Sequence, residues 1–424
     1  SFTKVGSGTL TLSGANTYSG ATTVSAGTLL ISADRNLGAA PSTATTSSIV
    51  FNGGTLNTSA SFTLHANRGI AMTGNGTINV NTSTTLSYNG IIADSGDLTK
   101  AGAGTLALGG QSTMSGTTTI SAGTLQIGTG GTSGSLGSGA VVNSAILAYN
   151  RSDDVTLSGD LSGAGSIAQS GTGTLYLTGT NTYSGITYIN SGTLSIGHNT
   201  STGSFGSGSI TNNGVLIVDR SSDLTISNVI SGTGSLQKNN SNTLTLSGTN
   251  TYTGGTTISA GTLALGASDV LANTGAVTVA GGTLNIAAYS DTVGTVTLSS
   301  GTITGAAGVL TGSAYSITNS TGTTTVSAIL GGTANLEMSG AGTVILSKAN
   351  TYTGTTTISA GTLNVTGTLS NSTAVSIATG ATYIVGADDT VASIAGAGNI
   401  TLTGNLTAGT STNTEFSGVM SSTG

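Results

Sequence analysis

Between Lys238 and Leu265 the chain reads KNNSNTLTLSGTNTYTGGTTISAGTLAL. Its "NTLTL" at Asn242 returns as "GTLAL" at Gly261, 19 residues later. Alternation of aliphatic residues with Thr has the two-residue period of a strand with one buried face. A strand that returns after about 19–23 residues, with Gly-rich turns between, is one coil of a β-solenoid. One such coil cannot bury its own apolar face, so a core arises only by stacking coils.

The same 28-residue pattern occurs in five copies, at residues 4–31, 100–127, 169–196, 238–265 and 338–365. In the first, KVGSGTLTLSGANTYSGATTVSAGTLLI, the alternation points Leu10, Leu12, Leu29 and Ile31 inward and Thr9, Thr11 and Thr28 outward. The inner 19-residue return is kept in all five copies. Gly27, Gly123, Gly192, Gly261 and Gly361 precede equivalent strands and fit turn positions that need φ > 0. Copy starts are 96, 69, 69 and 100 residues apart. These spacings divide as three steps of about 23, or five of about 19 or 20. Residues 1–424 therefore read as a single continuous all-β solenoid of parallel strands. Both ends break off in mid-pattern, so the segment reads as a piece of a longer chain.

Composition narrows the function classes. Only 5% of the 424 residues are charged, against about 25% in a typical soluble domain. With 36% apolar residues and a net charge of −6, the chain lacks the signature of disorder. No Cys is present, which excludes a disulfide scaffold, an iron–sulfur cluster and a cysteine nucleophile. Eight basic residues cannot track a phosphate backbone, so no nucleic-acid partner is expected. No apolar run is long enough to span a membrane as a helix.

The recurring Gly, Thr-Leu, Asn-Thr-Tyr and Ser-Ala-Gly-Thr-Leu positions resemble the passenger-associated transport repeat of bacterial autotransporters. The copies cover about a third of the chain. The resemblance implies a right-handed parallel β-helix on a secreted Gram-negative surface protein. Such proteins normally end in an outer-membrane β-barrel, which would lie beyond Gly424.

Several residues could carry chemistry, and each also has a structural role open to it. Adjacent carboxylates occur at Asp153–Asp154 and Asp388–Asp389. Strand neighbours point to opposite faces, so they read as solvated turn acids rather than a glycosidase pair. Arg151 and Arg220 recur 69 residues apart in "NRSDD" and "DRSSD", a turn with local ion pairs to Asp153, Asp154, Asp219 or Asp223. Arg35 and Arg68 complete the arginines. His65 and His198 have no paired ligands at metal spacing. Asn16, Asn181, Asn250 and Asn350 read as turn residues that tolerate the left-handed region and bond to their own turn. Tyr18, Tyr183, Tyr252 and Tyr352 read as corner packing, replaced in the second copy by Ser112-Thr113-Met114. The Thr runs at Thr22–Thr23, Thr117–Thr119, Thr256–Thr257 and Thr355–Thr357 would bind ice only if they formed ladders on consecutive coils. Their recurrence every three to five coils argues against that.

No catalytic, cofactor or metal residue is assigned, and no enzyme activity is expected. The reading is a structural or adhesive surface module, the stalk of an autotransporter-like protein in adhesion, aggregation or biofilm. Its partners would be cell-surface or matrix contacts, with self-association end to end or side to side. The alternative is a subunit of an extracellular fibre. A polysaccharide-degrading enzyme and an ice-binding solenoid rank below both.

Overall fold

A computed structural model describes residues 1–409 and 413–422. It divides into two compact units, Ser1–His198 with Thr202–Gly214, and Asn199–Ser201 with Val215–Gly424. Among the described residues there is no α-helix, only a 3-10 turn at Asp34–Leu37.

The first unit is a solenoid of short parallel strands on several faces. One face stacks Phe2–Lys4, Thr22–Val24, Ile49–Phe51, Ile70–Met72 and Ile92–Ala93. The next runs from Thr9–Leu12 through Thr28–Ile31, Thr55–Thr58 and Gly76–Val80 to Leu98–Ala101 and Thr118–Ile120. A third begins at Phe62–Leu64 and continues through Thr85–Tyr88, Thr105–Leu108 and Thr124–Ile127. Inward residues form columns: Leu29, Leu56, Ile78, Lys100 and Ile120 are register partners and all are buried. Each buried aliphatic side chain contributes about 1.5–3 kcal/mol. The column begins at Leu10, whose strand lies at the edge of its sheet, so Leu10 is 38% exposed and Leu12 half-buried. The inward parity expected of these two residues is kept, but burial needs a coil on both sides.

Coil length varies more than the 19–23 residues expected. The step from Leu29 to its partner Leu56 is 27 residues, because this coil carries the 3-10 turn. Arg68 pins that insertion from the next coil. Its guanidinium bonds Asp34 at 2.8 Å and the carbonyls of Leu37 and Gly38 at 3.0 and 2.7 Å.

The repeat copies also do not stand in line. Lys4 pairs with Val24, Lys100 with Ile78 and Ile120, and Gln169 with Tyr149 and Ile189. These starts lie in three different sheets. Lys100 shares its column with Leu10, not Lys4, so 96 residues is four coils plus the six residues that separate Lys4 from Leu10. The expected division of 96 into five steps, and of the 69 between Lys100 and Gln169 into three, is corrected accordingly.

In the second unit the 100-residue spacing is five steps. Lys238, Ile258, Val279 and Leu298 are successive partners. A bond from Thr318 N to Leu298 O leads to Ile317, which pairs with Met338. A second column, Leu244, Leu263, Leu284, Ile303 and Val326, is buried throughout.

Candidate functional site

The Asn-Thr-Tyr corner is closed. Asn181 accepts from Leu161 N (2.9 Å) and donates to Ser204 O (2.8 Å), bridging the coil before and the coil after. Asn250 does the same between Ile230 N (2.8 Å) and Val270 O (2.7 Å). Asn350 accepts from Leu330 N (3.0 Å) and donates to Thr368 O (3.3 Å) and Lys348 O (2.9 Å). Asn16 reaches Asn36 O at 2.8 Å. None of the four has a positive φ. Their main work is to join coils, with own-turn bonds at Asn181 and Asn350 beside it; the left-handed conformation expected from sequence is corrected. Tyr183, Tyr252 and Tyr352 are buried, and each hydroxyl pairs with the Thr hydroxyl four residues on, at 2.7, 2.5 and 2.7 Å. Tyr18 is half-buried and pairs with Thr22, and Met114 fills the equivalent space, 1% exposed. Tyr183, Tyr252 and Tyr352 are packing elements and present no ring to a ligand.

The first residue of each copy was not singled out in the sequence, yet it is buried. Lys100 Nζ donates to the carbonyls of Ala101 (2.8 Å), Gly102 (2.7 Å) and Ala122 (3.0 Å). Lys4 repeats this with Val5, Gly6 and Ala26, and Lys238 with Asn240 and Ala260. Gln169 uses its amide on Gly171 and Gly173, while Met338 fills the place with apolar bulk. Burial pushes the Lys100 and Lys238 amines down to about 8, so the carbonyls hold an ammonium at neutral pH. The available signal was Lys at the same inward-parity position in three of five copies. These lysines plug the turn and reach no open surface.

The charged residues expected at turns are also occupied by the fold. Arg151 forms a two-pronged pair with Asp153 (2.8 and 2.6 Å) and donates to Gly134 O and Thr132 O. It holds the Asp153 carboxyl below the usual range. Arg220 donates to Ser201 O and Ser222 Oγ. Asp154 accepts from Thr174 N at 3.0 Å, and Asp223 from Thr243 N at 2.7 Å. Asp388 is exposed, and bonds from Asn405 hold its carboxyl low. Asp389 is different: it is 6% exposed, accepts from Leu369 N at 3.1 Å and takes the Tyr383 hydroxyl at 3.4 Å. The solvated-turn reading of Asp389 is therefore corrected. It occupies the corner position of Asn350, two coils on. His65 accepts from Asn67 N, and His198 stacks on Tyr176 with ring centres 4.0 Å apart. Among the described residues no group of three His, Cys, Asp or Glu side chains could hold a metal ion.

Outward positions carry Thr, Ser, Asn and small residues, together with exposed apolar side chains such as Ile91, Val142, Ile146 and Val229. Thr9, Thr28, Thr55, Thr77, Thr99 and Thr119 are register partners on six consecutive coils. In the second unit Thr243, Thr262, Thr283, Thr302 and Thr325 form a comparable row, with the Thr283 and Thr302 hydroxyls 2.9 Å apart. The Thr runs themselves do not stack on consecutive coils, as expected, but single Thr residues on coils outside the repeats extend these rows beyond the runs. The next outward row in the first unit is mixed: Thr11, Leu30, Asn57, Asn79 and Ala101. A regular two-dimensional hydroxyl array is thus not built there.

The passenger-associated-transport-repeat family model matches residues 2–31, 98–127, 167–196, 236–265 and 336–365. Over 166 residues, 39% of this chain, the sequence is 40% identical to the adhesin BmaC autotransporter of Brucella suis biovar 1 (strain 1330). The matched region is 5% of the length of that relative. No solved structure matches. No helix among the described residues is long and apolar enough to cross a membrane. One repeat model matched five times along a parallel β-solenoid shows that the chain carries passenger-associated transport repeats.

Proposed function

We propose that this chain is an adhesive β-solenoid segment of an autotransporter-type passenger, displayed outside a Gram-negative cell. The similarity to an autotransporter adhesin carries this reading. The physical chemistry supports it. The acids, arginines and corner residues described above are spent on holding coils together, which leaves a charge-poor surface of hydroxyl and amide groups. Such a surface suits many weak contacts along repeated coils rather than one catalytic cleft, so we read the segment as non-enzymatic. Contacts with host surfaces, matrix or sister cells, and through them aggregation or biofilm growth, follow from the same reading.

The test is to couple the purified 424-residue chain to inert beads. Retention is then measured on mammalian cells, on matrix proteins and on like-coated beads, against beads carrying an unrelated β-solenoid of equal charge. The expected result is several-fold greater retention on at least one of these. Equal retention on all three would contradict an adhesive role and leave this segment a spacer.

A further inference from the structure

The corner ladder of the second unit contains two acids where the repeats place amides. Asn250 sits two coils before Asp291, with Val270 between them: Asn250 donates to Val270 O, and Val270 N donates to Asp291 Oδ2 at 3.0 Å. Leu271 N donates to the same oxygen at 3.0 Å. Asn350 stands in the same relation to Asp389 through Thr368 and Leu369. An Asn rung accepts from the coil before and donates to the coil after. An ionised carboxylate has no proton to donate. Asp291 is 2% exposed, and its Oδ1 is buried without a partner.

We propose that Asp291 and Asp389 are acid-operated rungs: each gains a donor on protonation, mimics the Asn of the repeat corner, and tightens the second unit as the medium acidifies. Of the groups around them Asp269 works the same way as burial, whereas the backbone N–H bonds to both acids and the Tyr383 hydroxyl donated to Asp389 favour the ionised form. Asp269 lies near Asp291, and Tyr252 from the coil two before also faces it. Tyr383 and Tyr352 face Asp389, with Asp388 beside it in the chain. No cation is among the groups acting on either acid. Burial is the largest cause of both shifts, pushing Asp291 up to about 6 and Asp389 upward. A folded-state value above the unfolded one, about 3.9 for Asp, means the folded state binds the extra proton. For Asp291 the stabilisation is complete below about pH 4 and is lost as pH rises through about 6. Asp153 and Asp388, held low, act in the opposite sense only below about pH 4.

Urea unfolding of the full chain, followed by circular dichroism at pH 7.0 and 4.5, tests this. For Asp291 alone the unfolding constant of the second unit is expected to fall on the order of 20-fold on acidification. Asp291→Asn with Asp389→Asn should match the acid-form stability already at pH 7.0 and lose the pH response. A midpoint that is flat or lower at pH 4.5, or a double variant that keeps the full response, overturns the proposal. Should the double variant fail to fold, the carbon-13 titration of the two carboxyls in the unmodified chain decides. Midpoints above the ordinary value of about 3.9 support the proposal, and midpoints at or below it refute it.

Discussion

Leu194→Asp is expected to abolish cooperative folding of the first unit. Leu194 is 1% exposed and pairs with Leu175 on the preceding coil. Removing its side-chain bulk from a packed column costs about 2–5 kcal/mol. Placing an unpaired carboxylate there adds several more. Together these approach the whole stability of a typical domain, about 5–15 kcal/mol. The neighbouring Thr193 points outward and is half-buried, so Thr193→Asp should change stability by no more than about 1 kcal/mol. Thermal unfolding of the two variants checks the pair. Equal midpoints would contradict the inward assignment of the column.

Gly261→Ala is expected to be far more damaging than Gly322→Ala, although both glycines have nearly the same backbone, φ +65° and +69°. The left-handed conformation alone costs a non-glycine residue about 1–2 kcal/mol. A Cβ on Gly322 would meet nothing within 4 Å. On Gly261 it would lie 2.3 Å from Asn240 O and 2.4 Å from Asn242 O, in the turn that Lys238 plugs. The four equivalent glycines are caged alike, with two carbonyl oxygens at 2.3–2.6 Å. Relieving that clash means parting two coils, so Gly261→Ala should cost at least about 2 kcal/mol more than Gly322→Ala. Urea midpoints for the second unit measure the difference. Comparable losses would show that φ, not the cage of carbonyls, is what the repeat conserves the glycine for.

These contrasts mark how far the residues themselves announce the fold. Alternation around Leu29 and Ile31 and the positive-φ glycines are local properties, visible in five copies. The number of coils between copies was not visible, because one 27-residue coil between Leu29 and Leu56 breaks the period, and Arg68 comes from a different coil to hold it. The Thr row was hidden for a related reason: Thr55, Thr77 and Thr99 lie outside the Thr runs and become neighbours of Thr28 and Thr119 only through stacking. Lys100 looks like a surface residue by type and is buried because three carbonyls converge on it. Asp389 beside Asp388 looks like a solvated pair, and only the ladder distinguishes them. Residue type predicted the strands well and the fate of scarce polar residues poorly, because the latter depends on the neighbouring coil.

The in-register stacking of coils is tested most directly by disulfide trapping, since the chain has no Cys of its own. Thr28 and Thr55 are register partners, and Thr77 lies one rung further. Parallel neighbours are about 4.8 Å apart, within the range of about 4.4–6.8 Å between Cα atoms that a disulfide spans. Two rungs, at about 9.6 Å, exceed it. Under mild oxidation Thr28→Cys with Thr55→Cys should close rapidly into a cross-linked monomer, while Thr28→Cys with Thr77→Cys should stay reduced. Equal closure of both pairs, or closure of the second alone, would contradict the stacking on which the whole account rests.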